Sequence, residues 1–422
     1  MPKTPETSRE QQERATFYQK AAEYRAALGE VRTFDDHVRL WRATEIPYRV
    51  HAKSPFSVAY REEILEIYQT ITQARYATAN EMTSPLQDSG AAFEAGFPWQ
   101  TGNLSVVALE LAKTAQAIKA LADAGMTGKR IVEFGAGWGN LAVPLARASQ
   151  EVSVVDIDPG FLARIKRICG PENIDITTVE SDFTSAVDKL VGRFDAVIFQ
   201  ASFHHCLEFD LLLKQIKESL LAEGGRVFFL SEPVFDDYAF PWGLRYDGES
   251  LWAIMCNKWL ELGFDRSFFS NLLLRNGFFM TRLPAISGLV GNGWCAIPAE
   301  QELSFARWVL PKDCDESFHP FDGSAGGRFC KRRSFLPELT GGRRYRLGLV
   351  NHAPIDLRVE IGGETPPGVF TVRPGGSQKI DLPASTGRIE IRSETFCPAE
   401  MIAGSGDARV LGIHLLAASV FA

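Results

Sequence analysis

The sequence has no excess of basic residues, and this absence excludes one large class of partners. Lysine and arginine together number 45 and aspartate and glutamate 52, so the formal net charge is −7. Proteins that bind nucleic acid through its phosphates normally carry a clustered positive charge. We therefore expect no nucleic-acid partner.

Closely paired cysteines are also absent. The seven cysteines are scattered along the chain, and none of them forms a CxxC motif. Such spacing favours neither a disulfide framework nor a structural zinc site. It is typical of a protein from a reducing compartment, so the sequence predicts a cytoplasmic location.

Long hydrophobic runs are missing too. No uncharged apolar stretch approaches the roughly 18 residues that a membrane-spanning helix needs. The first residues, "MPKTPETSREQQERATF", are polar and contain no apolar signal core. We expect a soluble protein without a transmembrane segment.

What the sequence does contain is a change of pattern along its 422 residues. Residues 1–125 have mostly helical periodicity, whereas residues 126–300 alternate strand-like and helical segments. This alternation predicts an α/β domain, a doubly wound parallel sheet with helices on both faces. We interpret 1–125 as a helical cap or substrate region.

The C-terminal part has two further patterns. Residues 301–342 contain the irregular "DGSAGG" and the charged "CKRRSF", and we interpret them as a linker. Residues 343–422 alternate apolar and polar positions between short turns, which predicts a small antiparallel β-sandwich as an accessory domain. We expect a chain that ends near Gln301 to fold and to bind its cofactor.

A glycine-rich turn follows the first strand-like run of the α/β domain. In "RIVEFGAGWGNLAVPLAR" the glycines Gly135, Gly137 and Gly139 stand between a strand and a helix. Glycines at such a place let backbone N–H groups approach a nucleotide-like ligand. The dinucleotide fingerprint GxGxxG would need glycine at Asn140. Glu133 would repel a pyrophosphate, and it suits a cationic ligand with an amino group better.

The segment Glu133–Gly139 resembles the first motif, E/D-x-G-x-G-x-G, of the class I S-adenosylmethionine-dependent methyltransferases. Two further acids match this family: Asp156 in "VVDIDP" and Asp182 in "VESDF". The resemblance covers about Thr127 to Pro298 and implies a Rossmann-like seven-stranded sheet, methyltransferase activity and S-adenosylmethionine as cofactor. It implies that Asp156 holds the ribose hydroxyls and that Asp182 meets the adenine amino group. The implied cofactor-binding residues are Glu133, Gly135, Ala136, Gly137, Gly139, Asn140, Asp156, Ile157, Asp182, Phe183 and Gln200.

Two histidines follow the fourth strand, in "FDAVIFQASFHHCLE". In the resembled family the sulfonium faces this loop, and methyl transfer to a hydroxyl needs a group that removes the proton. We predict His205 or His204 as the general base, with Glu232 and then Asp247 as the next candidates. The alternative is a structural histidine pair. No metal is expected, because no His/Asp spacing here has the regularity of a ligand set.

The segment after the fifth strand, "SEPVFDDYAFPWGLRYDGESLWAI", is rich in aromatic, arginine and acidic residues. Aromatic rings stack on sugar faces, and arginine and carboxylates bind vicinal hydroxyls. We predict an acceptor-binding loop. The alternative is an aromatic patch that joins the N-terminal helices to the sheet. The predicted substrate-binding residues are Trp242, Arg245, Tyr246, Asp247 and Trp252.

The part "PWGLRYDGESLWAI" and the C-terminal "TFCPAEMIAGSGDARVLGIHL" resemble methyltransferases encoded with bacterial surface-polysaccharide genes. This resemblance implies O-methylation of a sugar hydroxyl in a surface glycan, such as an O-antigen, or its precursor. It also leaves room for peripheral association with glycan-assembly enzymes and for a homo-oligomer. The alternatives are N- or C-methylation of another small metabolite, and a cofactor-binding assembly module without turnover.

Overall fold

The structure is a computed structural model, and it describes residues 8–31, 36, 39–40, 48–82, 96–148, 150–245, 248–283, 293–320, 326–363, 368–382, 384 and 387–421. Its α-helices include Ser8–Leu28, Val58–Thr72, Leu104–Asp123, Ala142–Arg147, Pro159–Cys169, Phe183–Ala186, Phe209–Gln215, Gly248–Asn257, Arg266–Arg275, Lys312–Asp315 and Pro398–Met401. Within the described ranges, no helix is long and apolar enough to cross a membrane.

The strands are numbered β1 to β19 in chain order. Those of the first 300 residues are β1 Arg130–Phe134, β2 Glu151–Asp156, β3 Ile176–Glu180, β4 Phe194–Gln200, β5 Leu221–Leu230, β6 Val234–Phe235, β7 Trp242–Leu244, β8 Leu262–Asp265, β9 Phe278–Arg282 and β10 Gly293–Pro298. The later ones are β11 Leu303–Ser304, β12 Arg328–Phe329, β13 Arg333–Leu336, β14 Arg344–Val350, β15 Leu357–Gly362, β16 Gly368–Val372, β17 Ser377–Asp381, β18 Ile389–Ser393 and β19 His414–Phe421.

A seven-stranded sheet forms the centre of the molecule, with the strand order β3-β2-β1-β4-β5-β10-β9. β1 to β5 run parallel, and β10 lies antiparallel between β5 and β9. β1 and β4 are almost wholly buried without alternation, as expected for parallel strands covered on both faces. The predicted mixed α/β fold with a mostly parallel seven-stranded sheet is confirmed.

The chain direction across the sheet reverses between β1 and β4. From β1 the chain proceeds outward to β2 and β3, and it then returns to the other side of β1 through β4. Open α/β sheets bind ligands in the crevice at the carboxyl ends of strands beside such a reversal. This edge therefore carries the glycine turn after β1 and the two histidines after β4.

The helix Val58–Thr72 packs against the segment that follows β5. It buries one face, with the three- and four-residue spacing of an amphipathic helix. The buried side chains of that face include Tyr60, Ile64, Ile67, Tyr68 and Ile71. The hydroxyl of Tyr60 donates to the carbonyl oxygen of Trp242 at 2.8 Å, and Nε1 of Trp242 donates to the carbonyl oxygen of Pro55 at 2.8 Å.

The C-terminal part contains the antiparallel sheets that the period-two pattern predicts. One has the order β11-β19-β14-β17, with β12 also paired to β19, and the other has the order β13-β18-β15-β16. The interpretation of residues 301–342 as a linker is wrong, because β11 and β12 pair with β19 and β13 pairs with β18. These strands are only two to four residues long, too short to show a readable period.

These C-terminal sheets share a hydrophobic core with the central sheet. Trp308 is 3% exposed, and its ring lies 4.5 Å from that of Phe279 in β9 and 6.1 Å from that of Tyr345 in β14. The N–H of Val420 donates to the carbonyl oxygen of Ala299 at 2.7 Å. A chain that ends near residue 301 would leave this face of the sheet bare. The expectation that it folds alone is therefore not supported.

Candidate active site

The glycine turn after β1 depends on a backbone conformation that favours glycine. Gly135, Gly137 and Gly139 have φ angles of 71°, 47° and 77°. A Cβ atom at Gly135 would lie 2.6 Å from Cβ of Ser202, and one at Gly139 would lie 2.8 Å from Cγ1 of Ile165. At Gly137 it would meet no described atom within 4 Å. Packing therefore requires the outer two glycines, and Gly137 leaves the backbone open to a ligand.

Two buried acids lie beside this turn. Asp156 accepts hydrogen bonds from the N–H groups of Gly137 at 2.8 Å and Asp158 at 2.9 Å. Glu133 is 3% exposed, and its Oε2 has no hydrogen-bond partner among the described residues. Burial and the charge of Asp156 raise the pKa of Glu133 to about 8, and burial raises the pKa of Asp156 to about 6. A positively charged ligand group would supply the missing partner of Glu133.

Asp182 lies just after β3 and caps the short helix Phe183–Ala186. Its Oδ1 accepts from the N–H of Ser185 at 2.9 Å and from the hydroxyl of Thr184 at 2.8 Å. Partial burial opposes ionisation, but the donors of Ser185 and Thr184 lower the pKa of Asp182. Asp182 is thus an ionised hydrogen-bond acceptor at the cofactor edge.

Glu232, just after β5, organises the loop after β4. Its carboxylate accepts from the N–H groups of Ser202 at 2.8 Å, Phe203 at 2.9 Å and His204 at 3.2 Å, and from Nδ1 of His204 at 2.8 Å. Its side chain is 0% exposed. Burial opposes ionisation, but the charge of His204 and these donors lower the pKa of Glu232. The prediction that Glu232 is a candidate base is therefore corrected: it cannot touch a substrate, and it positions His204.

Both histidines of the β4 loop are held by carboxylates. His204 is 5% exposed, and Nδ1 of His205 lies 3.1 Å from Oε2 of Glu81. Because an ionised carboxylate only accepts hydrogen bonds, Nδ1 of each histidine carries the hydrogen, and Nε2 has the lone pair of the neutral ring. Nε2 of His204 lies 3.6 Å from Oε2 of Glu261. We call His204, His205, Glu81, Glu232 and Glu261 the histidine cluster.

The protonation of His205 bears on its predicted role as a general base. Burial opposes its protonation, but the hydrogen bond to Glu81 and the charges of Glu261, Glu81 and Glu232 raise the pKa of His205 to about 9. In the ligand-free protein at neutral pH it is therefore an imidazolium, which donates and cannot accept a proton. A general base must be unprotonated before the reaction. His205 does not meet this condition by itself at neutral pH.

One cavity joins the cofactor edge to the histidine cluster. Its lining includes Ile157 after β2 and Asp182 after β3, together with Glu81 and His205 of the histidine cluster. Phe183 also lines it. Groups bound in it would therefore be close to both the cofactor edge and the histidine cluster.

Comparison with known proteins identifies the family to which this edge of the sheet belongs. Residues 131–225 match the family model of the methyltransferase domain. The matched range includes the glycine turn, Asp156, Asp182 and both histidines. Residues 131–225 form a methyltransferase domain. The match confirms the predicted S-adenosylmethionine-dependent methyltransferase and its cofactor, S-adenosylmethionine.

Solved methyltransferase structures resemble this chain at low sequence identity. Magnesium protoporphyrin IX methyltransferase from Synechocystis, with bound cofactor, is 15% identical with a TM-score of 0.37; the match covers 54% of this chain and 99% of that one. The 1,6-didemethyltoxoflavin-N1-methyltransferase of Burkholderia thailandensis is 20% identical with a TM-score of 0.35, over 51% and 91% of the two chains. Likenesses this distant decide nothing about the acceptor. No curated protein matches the chain.

The residues of this methyltransferase domain fit S-adenosylmethionine. The unpartnered Oε2 of Glu133 suits the ammonium group of its methionine part, and the open face at Gly137 suits a close approach of the same part. Gln200, at the end of β4, has a buried Oε1 that lacks a hydrogen-bond partner in the described part of the chain. The contacts predicted for the individual residues stay predictions. The predicted cofactor-binding residues lie at or just after the carboxyl ends of β1 to β4: Glu133, Gly135, Ala136, Gly137, Gly139, Asn140, Asp156, Ile157, Asp182, Phe183 and Gln200.

Trp242 of the predicted acceptor loop lies in the core of the methyltransferase. It belongs to β7 and is 2% exposed, and its ring lies 5.2 Å from that of Tyr60 and 5.1 Å from that of Phe209. The prediction that Trp242 contacts the substrate is therefore corrected, because its ring has no free face. The alternative, an aromatic patch that joins the N-terminal helices to the sheet, describes this residue.

The other predicted acceptor residues differ in their placement. Arg245 reaches the histidine cluster, with Nη1 3.9 Å from Oε2 of Glu261. Trp252 is half-buried on the helix that follows. Tyr246 and Asp247 lie outside the described residues, so their predicted role stays a prediction. Arg245 is thus the member of the predicted loop that the structure brings to the histidines.

Two carboxylates of the cluster, Glu81 and Glu261, were not among the predicted site residues. Glu81 lies in the 3₁₀ turn Thr78–Met82, and its Oε1 accepts from the N–H of Leu260 at 2.9 Å. It is 124 positions away from His205, so no local spacing connects the two. Glu261 directly precedes β8 in "KWLELGF", where an acid in an apolar segment is the one available signal.

Proposed function

We propose that this protein is an O-methyltransferase that methylates a sugar hydroxyl of a surface glycan or its precursor. One observation carries the proposal: a single cavity is lined by Ile157 and Asp182 of the cofactor edge and by Glu81 and His205 of the histidine cluster. A hydroxyl in this cavity would stand between the methyl donor and groups that bind protons. This is the arrangement that O-methylation requires.

A carbohydrate acceptor is supported by the chemistry of the neighbouring segment. Arg245 lies beside Glu261 of the histidine cluster. Arginine and carboxylate groups bind vicinal hydroxyls, and aromatic rings such as that of Trp252 stack on sugar faces. Tyr246 and Asp247 keep their predicted role in acceptor binding. The segment's resemblance to surface-polysaccharide methyltransferases points the same way.

The reaction divides the work between the two sides of the cavity. The acceptor oxygen forms a bond to the methyl carbon in line with the breaking carbon–sulfur bond, whose electron pair goes to sulfur. The cofactor supplies the electrophilic methyl group. We assign cofactor binding to the glycine turn and its acids, and we assign activation of the hydroxyl to the histidine cluster as a whole. The ring nitrogens of His204 and His205 converge there with Glu261.

We also propose an organisation and a location for the chain. Residues 1–125 form a helical cap and 126–300 the catalytic domain, and the accessory sandwich begins at residue 301 without a linker. A cytoplasmic location is supported by the seven cysteines, all of which are unpaired. The accessory part would serve peripheral association with glycan-assembly enzymes or homo-oligomerisation.

Mass spectrometry with methyl-deuterated S-adenosylmethionine tests the proposed function. The full chain is incubated with sugar nucleotides, lipid-linked sugars and purified glycans, and the expected product is a labelled methyl ether on a sugar. A labelled amine or carbon-methylated product would instead support the alternative of N- or C-methylation. Cofactor binding without product from any acceptor would support an assembly module.

A further inference from the structure

The histidine cluster has the composition and spacing of a metal site. One ring nitrogen each of His204 and His205 and one carboxylate oxygen of Glu261 lie within 4.8 Å of one another. Ligand atoms around a tetrahedral Zn²⁺ ion with bonds of about 2.1 Å are roughly 3.4 Å apart. The 3.6 Å between Nε2 of His204 and Oε2 of Glu261 already matches that spacing. A ring nitrogen of His205 lies within 4.8 Å of both groups.

Both histidines have the outer support that metal-bound histidines have. Nδ1 of His204 donates to Glu232 at 2.8 Å, and Nδ1 of His205 donates to Glu81 at 3.1 Å. Carboxylates in these positions orient the rings and leave Nε2 to bind a metal ion. Both carboxylates are themselves anchored, Glu232 by the N–H groups of the β4 loop and Glu81 by that of Leu260. The ring orientations are thus fixed before any ion binds.

The charges of the cluster leave a place for a cation. Glu81, Glu232 and Glu261 are carboxylates, and Arg245 contributes one positive charge 3.9 Å from Glu261. Metal binding displaces the proton of an imidazolium ring, and with both rings neutral the three carboxylates and one arginine leave two negative charges. None of these side chains is more than 23% exposed. Buried charge is costly unless it is paired, and one divalent cation balances the remainder.

We propose that His204, His205 and Glu261 bind one divalent first-row transition-metal ion. Nitrogen and carboxylate ligands suit Zn²⁺, Co²⁺, Mn²⁺ and Fe²⁺, and three protein ligands leave positions open for a substrate. The site departs from the sequence-based expectation of no metal, because its ligands come from two separate segments.

The role that we give the ion rests on the proposed function. A sugar hydroxyl bound at an open position loses its proton to water more easily, because the ion stabilises the negative charge left on oxygen. The oxygen then forms the bond to the methyl carbon while sulfur takes the electron pair of the breaking bond. The ion is neither oxidised nor reduced.

Metal titration of the full chain after treatment with EDTA tests the site. Co²⁺ alone, followed by its visible absorption, should fill one saturable site per chain. Zn²⁺ alone, followed by calorimetry, should fill the same site and abolish the Co²⁺ absorption. Absence of saturable binding of both ions would overturn the proposal.

Two substitutions test whether the ion binds at the histidine cluster. His205→Ala and Glu261→Gln should each weaken Co²⁺ binding by at least the roughly 10–100-fold that loss of an outer-shell partner causes. Glu300→Gln, at an exposed ion pair with Lys217, is the matched control and should bind Co²⁺ normally. Melting curves without metal show whether each variant is folded, and Glu261→Gln keeps the side-chain shape. Normal Co²⁺ affinity in both cluster variants would overturn the proposal.

Failure of the proposed function would look different from failure of this site. Co²⁺ binding that is lost in both cluster variants, without methyl transfer to any carbohydrate, would support the metal site and remove the proposed acceptor. Methyl transfer at the full rate by metal-free protein that binds no Co²⁺ would overturn the metal site and keep the proposed function.

Discussion

The cofactor side and the acceptor side of this active site are built in different ways. On the cofactor side, Glu133 and the turn Gly135–Gly139 are neighbours in the sequence. On the acceptor side, Glu81 accepts hydrogen bonds from His205, 124 positions later, and from Leu260, 179 positions later. A short local segment therefore forms the glycine turn of the first side, whereas the histidine cluster exists only after distant segments have packed together.

The two sides also differ in how their acids are satisfied. Glu133 has an unpartnered buried oxygen, and burial holds its pKa at about 8. Glu232 already has four donors from the β4 loop, and its pKa is lowered. Glu133 on the cofactor side thus lacks a hydrogen-bond partner that the ligand can supply. The fold itself supplies all the hydrogen-bond donors of Glu232 on the acceptor side.

Backbone conformation shows the same contrast. On the cofactor side, glycines take the positive φ angles, at little cost. On the acceptor side, Ala201 after β4 and Ser231 after β5 have φ angles of 51° and 57° without being glycine. Such strain persists where surrounding contacts hold the backbone in place. The N–H of Ala201 does donate to the carbonyl oxygen of Leu230 at 2.8 Å.

The largest expected effect would separate the two sides. His205→Ala should lower kcat by about 10²–10⁴, because it removes one member of the cluster to which we assign activation of the hydroxyl. Affinity for S-adenosylmethionine should not change, because no residue of the cofactor side is altered. Steady-state kinetics and calorimetry measure the two quantities. His352→Ala, in the loop after β14, is the matched control. A parallel loss of cofactor affinity in His205→Ala would contradict the separation.

A second substitution tests whether both sides depend on one shared core. Trp308→Ala should lower the free energy of unfolding by about 3–5 kcal/mol, because it leaves a large cavity between β9 and the C-terminal sheets. Trp99, which is 55% exposed, provides the control Trp99→Ala with little expected loss. Denaturant titration measures both. Equal stability of the two variants would show that the C-terminal sheets are not needed to support the site.

The third prediction weakens the cofactor side alone. Asp156→Ala should reduce the affinity for S-adenosylmethionine by about 1.5–3 kcal/mol, the range for hydrogen bonds to a charged group. The substitution also removes the carboxylate that accepts a hydrogen bond from the N–H of Gly137. Calorimetry measures the affinity, with Asp156→Asn as the variant that keeps the shape. Unchanged affinity in folded Asp156→Ala would remove Asp156 from the proposed cofactor site.

The smallest expected effect is a pH dependence of cofactor affinity. Below about pH 8 the free protein holds the proton of Glu133, and a ligand ammonium group beside it would favour the ionised carboxylate. Binding should then release a proton, so affinity should rise by up to about tenfold per pH unit between about pH 6 and 7.5. Calorimetry in buffers of different ionisation enthalpy counts the proton. Glu133→Gln should abolish the dependence, and a slope that survives there would assign it to another group.

Sequence patterns were sufficient where neighbours along the chain interact. The alternation of strand-like and helical segments predicted the seven strands of the central sheet, because most of them are runs of buried apolar residues. The glycine turn could be predicted because three glycines and one acid act within seven residues. Hydrophobic periodicity did not predict β11, β12 and β13, because strands of two to four residues are too short to show a period.

By itself, the sequence determined the sheet, the glycine turn and the strand-end acids of the methyltransferase domain, since each depends on local spacing and local burial. Only the tertiary structure decided which carboxylates face the histidines. Glu81 and Glu261 come to them through packing of the N-terminal turn and of β8, and Trp242 is withdrawn into the core by Tyr60 and Phe209. The physical reason is that burial and charge pairing between distant segments depend on the path of the whole chain. Hydrophobic periodicity within one segment carries no information about that path.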